Sequence, residues 1–203
     1  MSRALKVIPT GTANLASVLA AFRRLGATPE IAQSAAEVAL AGRVVLPGVG
    51  SFGTAIEELD RQGMRSVLRE RLIEGRPTLA VCVGMQLLAT ISEESQGAAG
   101  IAIVPGGVKR FPDSVKVPQL GWNRVTAEPG CRFVITGWAY FANSYRLEEI
   151  PEGWVGATTN HGGRFVSALE RGDVLACQFH PELSGPWGAG ILGSWLDATG
   201  KAT

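Results

Sequence analysis

Short apolar runs alternate with amphipathic stretches through the first half of the chain. Runs at residues 5–9, 44–46 and 78–81 have the length of strands, and the last of them is apolar on both faces, as buried parallel strands are. Between these runs, residues 14–25 carry apolar side chains at helical spacing and end at Gly26, and residues 54–74 form two helical patterns broken near Gly63. This alternation predicts a doubly wound α/β sheet.

Beyond Gly100 the pattern changes to short β-rich segments separated by turn residues. Candidate strands lie at residues 101–104, 116–117, 132–135, 140–142, 154–159, 165–169 and 174–178, and a last helix at residues 188–197. No repeat, low-complexity segment or linker divides the chain. We therefore expect one domain over residues 1–203, of α/β class, with a mixed, mostly parallel sheet, flanking helices and a β-rich second half.

The apolar run at residues 78–81 stops at Cys82 and restarts as a helical pattern after Gly84. A strand that turns sharply into a helix holds one side chain above the sheet edge, which is the form of a nucleophile elbow. The N-terminus of a helix favours a thiolate, and Gly84 leaves room for backbone and substrate to approach. Cys131 and Cys177 have no such context and are expected to be structural.

An imidazole and a carboxylate follow the last apolar run about a hundred residues later. His180 can accept the thiol proton and later return it to a leaving amine. Glu182 lies two residues on, so in an extended segment it points to the same side as His180 and can orient the ring. Cysteine, histidine and carboxylate in this order are the parts of a cysteine-nucleophile acyl-transfer site.

A glycine-rich turn follows the strand at residues 44–46. Its backbone N–H groups could bind an anion, and a phosphate cradle is one option, although the lysine and spacing of a P-loop are missing. With a cysteine nucleophile elsewhere, the better use is an oxyanion hole built from the N–H groups of Val49, Gly50 and Val83.

Charge and cysteine content restrict the partners and the compartment. The 203 residues include 19 basic and 18 acidic side chains and have a net charge of +1, so no nucleic acid partner is implied. Three cysteines, an odd number, argue for a reducing compartment. Neither a signal core nor an apolar run long enough to span a bilayer is present, so we expect a cytoplasmic protein without a membrane partner. Only two histidines occur, so we expect no metal site.

Five blocks of residues, at 47–50, 82–86, 116–123, 140–145 and 178–182, fall in the order of a known family. The chain resembles the class I (triad) glutamine amidotransferases, and within them the glutaminase subunits of imidazole glycerol phosphate synthase. The resemblance covers about residues 6–196. The blocks at 116–123 and 140–145 are much more specific to this subunit than the cysteine block, which many amidotransferases share.

The resemblance implies a function for these residues. Cys82 would attack the side-chain amide of glutamine, with His180 and Glu182 completing the triad and no cofactor needed. The ammonia would enter a (β/α)8-barrel cyclase subunit of histidine biosynthesis, on which glutaminase activity should depend. The residues implied to hold the glutamine are Gly48, Gln86, Asn143, Ser144 and Tyr145.

The resemblance also implies a surface that faces the partner. Large aromatic side chains are normally buried, so the residues alone would place Trp122 and Tyr140 in the core; the resemblance places both on the partner-facing surface. The residues implied at this interface are Asn14, Gln119, Leu120, Trp122, Asn123, Tyr140 and Leu183.

The chain departs from the family pattern at several positions, none of which removes a triad group. Ala13 and Ala80 stand where the family usually has glycine, Gln119 and Asn143 where histidine is commoner, and Leu183 where a lysine is usual. Two alternatives stay open at this point. One is a paralogue that feeds another ammonia acceptor, in a surface-sugar pathway. The other is a degenerate, non-catalytic subunit that only binds and regulates its partner.

Overall fold

The computed structural model describes residues 3–11 and 15–199, and this part of the chain contains twelve strands and six helices. The strands are β1 (Ala4–Val7), β2 (Thr28–Ile31), β3 (Val44–Leu46), β4 (Thr78–Val81), β5 (Ile91–Ser92), β6 (Gly107–Arg110), β7 (Gln119–Ala127), β8 (Gly137–Asn143), β9 (Tyr145–Arg146), β10 (Val155–Asn160), β11 (Arg164–Arg171) and β12 (Val174–Cys177). The helices are α1 (Leu15–Arg24), α2 (Ala35–Leu40), α3 (Phe52–Arg61), α4 (Met64–Ile73), α5 (Val83–Gln86) and α6 (Gly185–Ala198), with a 3₁₀ turn at Pro181–Leu183.

Nine of the described strands form one mixed sheet in the order β2-β1-β3-β4-β12-β11-β10-β7-β8. The pairings from β2 to β12 are parallel, and those from β12 to β8 are antiparallel. The expected mixed α/β sheet with flanking helices is confirmed. The prediction was a mostly parallel sheet, whereas the parallel and antiparallel parts of the sheet are more evenly divided. A separate three-stranded sheet has the order β5-β6-β9.

The centre of the sheet is buried on both faces. Every residue of β3, β4 and β12 is buried, which explains why these strands are apolar throughout rather than alternating. Helices α1 and α6 pack together, and their contact includes the rings of Phe22 and Trp195 at 6.3 Å. Three adjacent parallel strands of this kind provide a rigid edge for the loops that follow them.

The antiparallel half curls back towards the central strands. Strands β7 and β8 pair over seven residues, from Gln119 opposite Asn143 to Val125 opposite Gly137. The Phe141 ring lies 5.9 Å from the rings of both Phe165 and Phe179, and the two contacts are edge-on. The end of β8 is thereby brought next to the segment that follows β12.

Three expected strands, at residues 101–104, 116–117 and 132–135, are not strands. In the first, Ile101 and Val104 are buried, and the N–H groups bond to the turn after α5, as that of Ile103 does to the Leu88 carbonyl at 2.9 Å. In the third, the backbone N–H groups of Phe133 and Val134 donate to the buried carboxylate of Glu170. The apolar pattern of both segments indicated buried side chains. Their backbone N–H groups, however, bond to partners other than a neighbouring strand.

The helix that follows the elbow is also shorter than its sequence pattern indicates. Helix α5 ends at Gln86, and residues 87–90 continue as turns. In the described residues, no helix combines the length and the apolar character needed to cross a membrane.

Candidate active site

Three neighbouring strands bring the predicted site residues to one edge of the sheet. Parallel pairing sets Leu46 of β3 opposite Ala80 of β4, and Val81 of β4 opposite Cys177 of β12. The glycine turn, Cys82 and the segment with His180 begin directly after these three strands. Because the carboxyl ends of parallel strands meet at one edge, residues separated by more than a hundred positions become neighbours.

Cys82 occupies the strained position of a nucleophile elbow. Its backbone has φ 54° and ψ −112°, a conformation that residues with a side chain rarely adopt, and its N–H donates to the Cys177 carbonyl at 2.7 Å. Its side chain is buried. A Cβ on Gly84 would lie 2.1 Å from the carbonyl oxygen of Leu46, so only glycine fits there. The strain and the steric requirement together fix the thiol at the sheet edge.

His180 and Glu182 form a buried pair beside the cysteine. The Nδ1 atom of His180 lies 2.8 Å from Glu182 Oε1, and less than a tenth of either side chain is exposed. Burial acts to lower the pKa of the imidazole, but hydrogen bonds and charge interactions with Cys82 and Glu182 outweigh it and raise the pKa to about 10. The arrangement favours a protonated imidazolium beside Cys82.

The backbone between these two residues is not the extended segment that the sequence suggested. His180 itself is extended, with φ −98° and ψ 95°, but Pro181 then begins a 3₁₀ turn that runs to Leu183. Proline fixes its own φ near the helical value, which favours a turn directly after the histidine. The turn brings the Glu182 carboxylate back onto the ring of His180, so the pair forms by a route other than strand alternation.

The glycine turn contacts the elbow directly. The N–H of Val83 donates to the carbonyl of Gly48 at 3.3 Å, and a Cβ on Gly48 would lie 2.6 Å from the backbone nitrogen of Gly84. Gly50 has φ +90° and is exposed, and Val49 is partly exposed. The N–H groups predicted to bind the oxyanion are therefore close together. In this conformation the N–H of Val83 is bonded to the carbonyl of Gly48.

The phosphate-cradle alternative does not fit the glycine turn. Helix α3 starts immediately after it, and the N–H groups of its first turn are already bonded. Phe52 donates to the carboxylate of Glu94 at 2.7 Å, and Gly53 donates to the hydroxyl of Ser95 at 2.9 Å. A bound phosphate would have to displace a carboxylate from the position where an anion binds best.

Buried side-chain amides extend from the cysteine into the curled half of the sheet. Gln178 Nε2 lies 3.7 Å from Cys82 Sγ, and Gln178 Oε1 accepts from Gln86 Nε2 at 2.9 Å. Gln86 also donates to the Tyr145 carbonyl at 3.1 Å, and Asn143 donates to the same oxygen at 2.9 Å. Three of the residues predicted to hold glutamine, Gln86, Asn143 and Tyr145, are thus connected to one another.

The other predicted substrate residues lie around this group. Ser144 is partly exposed and its carbonyl accepts from the N–H of Phe111 at 3.0 Å. Gly48 is buried at the end of β3. A cavity of about 180 Å³ lies on the side of the triad that faces α1. Its lining includes Gly48, Val49, Ala142, His180, Glu182 and Leu183.

Strand alternation divides the residues predicted at the partner interface. Leu120 and Trp122 are more than half exposed, and Leu183 is 45% exposed. Tyr140 is partly exposed and lies opposite Trp122 in the ladder, with their rings 6.3 Å apart.

Gln119 and Asn123 point away from this surface, because successive side chains of a strand lie on opposite faces. Gln119 is 5% exposed in the chain alone, and its place at the partner interface stays a prediction. Asn123 is partly exposed and donates to the Asn160 carbonyl at 3.0 Å. Asn14 lies outside the described residues.

Sequence reasoning missed three residues that the structure places at these sites. Trp138 is 59% exposed and lies opposite Arg124 in the β7–β8 ladder, on the same face as Trp122. Ala142 lines the cavity beside His180. Gln178 contacts the cysteine, and its position two residues before the histidine was the available signal, because alternate side chains of an extended segment lie on one side.

The remaining cysteines have the structural environment expected of them. Burial raises the pKa of Cys177 well above its usual value, and burial together with the charge of Glu170 raises that of Cys131 to about 11. All three cysteines are free thiols. In the part of the chain that the structure describes, no cluster of three metal-ligating side chains occurs.

A cysteine on a strained elbow with a buried histidine–carboxylate pair defines a cysteine-dependent acyl-transfer enzyme. The family model "Glutamine amidotransferase class-I" matches residues 7–195, and the chain belongs to this family. A solved structure described as a glutamine amidotransferase has the same fold, with a TM-score of 0.76 at 18% identity over 95% of this chain and 97% of that one.

Within the family, the chain belongs with the HisH subunits of imidazole glycerol phosphate synthase. It is 40% identical to that of Moorella thermoacetica over 94% of this chain and 92% of that protein. It is 37% identical to that of Symbiobacterium thermophilum over 93% of this chain and 91% of that protein. The chloroplastic imidazole glycerol phosphate synthase hisHF of Arabidopsis thaliana is 37% identical over 95% of this chain, which matches 34% of that longer protein.

Proposed function

We propose that this chain is the glutaminase subunit of an imidazole glycerol phosphate synthase, with Cys82 as the nucleophile. The observation that carries the proposal is the geometry of the triad. A strained cysteine ends β4, and a buried His180–Glu182 pair at 2.8 Å follows the adjacent strand β12. Its HisH relatives support the same pathway.

The reaction would proceed in two halves. The Cys82 thiolate attacks the side-chain amide carbon of glutamine, and the imidazolium of His180 gives its proton to the amide nitrogen, so ammonia leaves and a glutamyl thioester remains. Neutral His180 then takes a proton from water, which attacks the thioester. Glutamate departs, and the thiolate and imidazolium are restored. Glu182 keeps the ring oriented through both halves.

Both tetrahedral intermediates need donors for their oxyanion. We assign this role to the N–H groups of Val83, Val49 and Gly50. The N–H of Val83 is bonded to the Gly48 carbonyl, so rotation of the Gly48–Val49 peptide would release one donor and turn a second towards the substrate. Loss of one such donor lowers kcat by about 10²–10³.

The glutamine itself would lie against the connected amides and the glycine turn. Gln86, Asn143, Ser144 and Tyr145 offer side-chain amides and backbone groups, and Gly48 allows the close approach of substrate. Buried polar groups that are fixed by one another discriminate well between ligands, because a wrong ligand leaves them unpaired.

The partner would dock on the exposed apolar face of β7 and β8. We call this the docking face and define it by Leu120, Trp122, Trp138, Tyr140, Ala142 and Leu183. The relatives are named as subunits, and the Arabidopsis relative is a longer protein of which this chain matches one third, which supports a partner cyclase subunit. We propose that this cyclase is a (β/α)8 barrel.

Ammonia would leave through the cavity beside the triad, which Ala142 and Leu183 of the docking face help to line. The apolar side chains that line it, Val18, Val81, Ala142 and Leu183, suit the neutral molecule better than ammonium. The free thiols are consistent with the reducing conditions of the cytoplasm, where we place the protein.

Co-expression with a cognate cyclase tests the proposal. The two chains should purify together, and glutamate release should increase when the nucleotide substrate of the cyclase is present. A chain that binds the cyclase without releasing glutamate would be a regulatory subunit instead. A chain that ignores the cyclase and serves a sugar-pathway acceptor would refute the histidine assignment.

A further inference from the structure

Gln178 is a fully buried amide whose N–H₂ group ends at the nucleophile. Its side chain is 0% exposed, and its Nε2 atom donates to Cys82 Sγ at 3.7 Å, within the range of hydrogen bonds to sulfur. Its own backbone N–H donates to the Ser167 carbonyl at 2.9 Å, which fixes the residue to β11. The triad mechanism assigns this side chain no role.

The orientation of the Gln178 amide follows from its neighbours. Its oxygen accepts from Gln86 Nε2 at 2.9 Å, so the nitrogen end has to face the sulfur. Gln86 can only donate here, because its Nε2 also donates to the Tyr145 carbonyl, an oxygen that cannot donate in return. A flipped amide would place two N–H₂ groups against each other at Gln86 and turn an oxygen towards the sulfur.

The sulfur also needs such a donor. Helix α5 has four residues, so it provides far less of a helix dipole than the longer helix that the sequence suggested. Cys82 is 3% exposed, and a thiolate at this depth is costly unless hydrogen bonds replace its hydration. His180 supplies one such interaction, and Gln178 supplies another through its N–H₂ group.

We propose that Gln178 stabilises the Cys82 thiolate by an N–H···S hydrogen bond whose direction Gln86 sets. The inference rests on the proposed function in one respect, namely that Cys82 is the nucleophile. Gln178 would then contribute to the reaction, because it acts on the sulfur of Cys82 before glutamine binds. Gln86 has a second task beside substrate binding, as the group that orients Gln178.

Alkylation of Cys82 tests this in the isolated chain. The rate of iodoacetamide modification is measured against pH, and the Cys82 peptide is quantified by mass spectrometry. Gln178→Met removes the donor at similar volume. At neutral pH the alkylation rate of this variant should fall about tenfold or more, because tenfold is the lower bound for the loss of a hydrogen bond to a charged group. The pH profile should move towards higher pH. Gln178→Glu keeps the acceptor for Gln86 and should show a larger displacement, because a second negative charge faces the sulfur.

Ser167→Ala is the matched control. Ser167 is fully buried beside Gln178, and its hydroxyl makes no hydrogen bond within the described part of the chain, so its loss perturbs packing without removing a partner. Its alkylation profile should match that of the unmodified chain. A wild-type profile in both Gln178 variants would overturn the proposal, as would equal displacement in the control. If Gln178→Met does not fold, an unshifted profile in Gln178→Glu would still overturn the proposal.

Glutamine turnover with the cyclase separates this inference from the proposed function. Gln178→Met should lower kcat with little change in KM, because the hydrogen bond acts on the nucleophile and not on bound glutamine. A raised KM with unchanged kcat would show that Gln178 binds substrate instead. Absence of turnover in the unmodified complex would refute the proposed function, while the alkylation profiles would still test the hydrogen bond.

Discussion

The N–H of Val83 donates to the carbonyl of Gly48 at 3.3 Å. The two segments expected to bind an oxyanion therefore bind each other. Their close approach requires glycine, because a Cβ on Gly48 would lie 2.6 Å from the nitrogen of Gly84. Little room exists for the turn to slide, so we expect the change that frees Val83 to be a rotation of the peptide after Gly48.

We expect the isolated chain to be nearly inactive as a glutaminase and to become active when the ligand-bound cyclase favours the rotated peptide. A partner that binds one of two loop states better shifts their populations by that difference in affinity. The measurement is glutamate release by the chain alone, with unliganded cyclase and with ligand-bound cyclase. Equal turnover in the three states would mean that the oxyanion site is preformed.

Gly50→Ala should depress the activated rate. Gly50 has φ +90°, where a side chain is strained, so the substitution alters the energies of the loop states. Gly190→Ala in α6 is the control, since a Cβ there meets nothing within 4 Å and the φ of Gly190 is not in the left-handed region. Comparable loss of activity in both variants would contradict a specific role for the loop.

Substitution of the triad should separate glutamine hydrolysis from complex formation. Cys82→Ala and Cys82→Ser should abolish glutamate release and leave ammonia-dependent synthesis by the cyclase intact. His180→Ala should lose at least about 10²-fold, as expected when a general base is removed, and Glu182→Gln should lose less. Appreciable glutaminase activity in Cys82→Ala would refute the mechanism.

His180 should titrate far above the ordinary histidine value of 6.5. Its raised pKa of about 10 means that the stability contributed by the imidazolium is complete below pH 6.5 and is lost as the pH rises towards 10. An NMR titration can measure this, with the signal assigned by its absence in His180→Asn. In Cys82→Ala the titration should move to lower pH. An inflection near 6.5 in both proteins would disprove the ion pair.

Trp122→Ala and Trp138→Ala should each weaken the complex by about tenfold or more, as buried tryptophans at interfaces do. Both side chains are more than half exposed in the chain alone, so its melting temperature should change little. Leu40→Ala, at an 85% exposed position on α2, is the control for removal of a surface apolar group. Unchanged affinity of both tryptophan variants with a lowered melting temperature would place them in a structural role.

Much of the parallel half could be predicted from the sequence, because its signals are local. The break between α3 and α4 at Gly63, which has φ +64°, was visible as an interruption of helical spacing. The strand that ends at Cys82 was visible as a run buried on both faces. The fold class and the triad follow from these signals and from the order of the motifs.

The rest depends on contacts between distant residues. Residues 132–135 have an apolar pattern, but the Glu170 carboxylate takes the N–H groups that a ladder would have used. The burial of Gln119 depends on the register of β7 with β8, which no local pattern fixes. The bond between Gln178 and Cys82 spans 96 positions and exists only because β4 and β12 are adjacent.

One backbone hydrogen bond connects the docking face to the triad: the N–H of His180 donates to the carbonyl of Tyr140 at 2.9 Å. The N–H of Tyr140 in turn donates to the hydroxyl oxygen of Ser184 at 2.9 Å. If the docking face binds the cyclase as proposed, this hydrogen bond would link the binding of the cyclase to the binding of glutamine, and such coupling is reciprocal. If the partner tightens the hold on glutamine, glutamine must tighten the hold on the partner by the same factor. The complex should therefore dissociate most slowly while glutamine is bound, which retains the ammonia acceptor until ammonia is released.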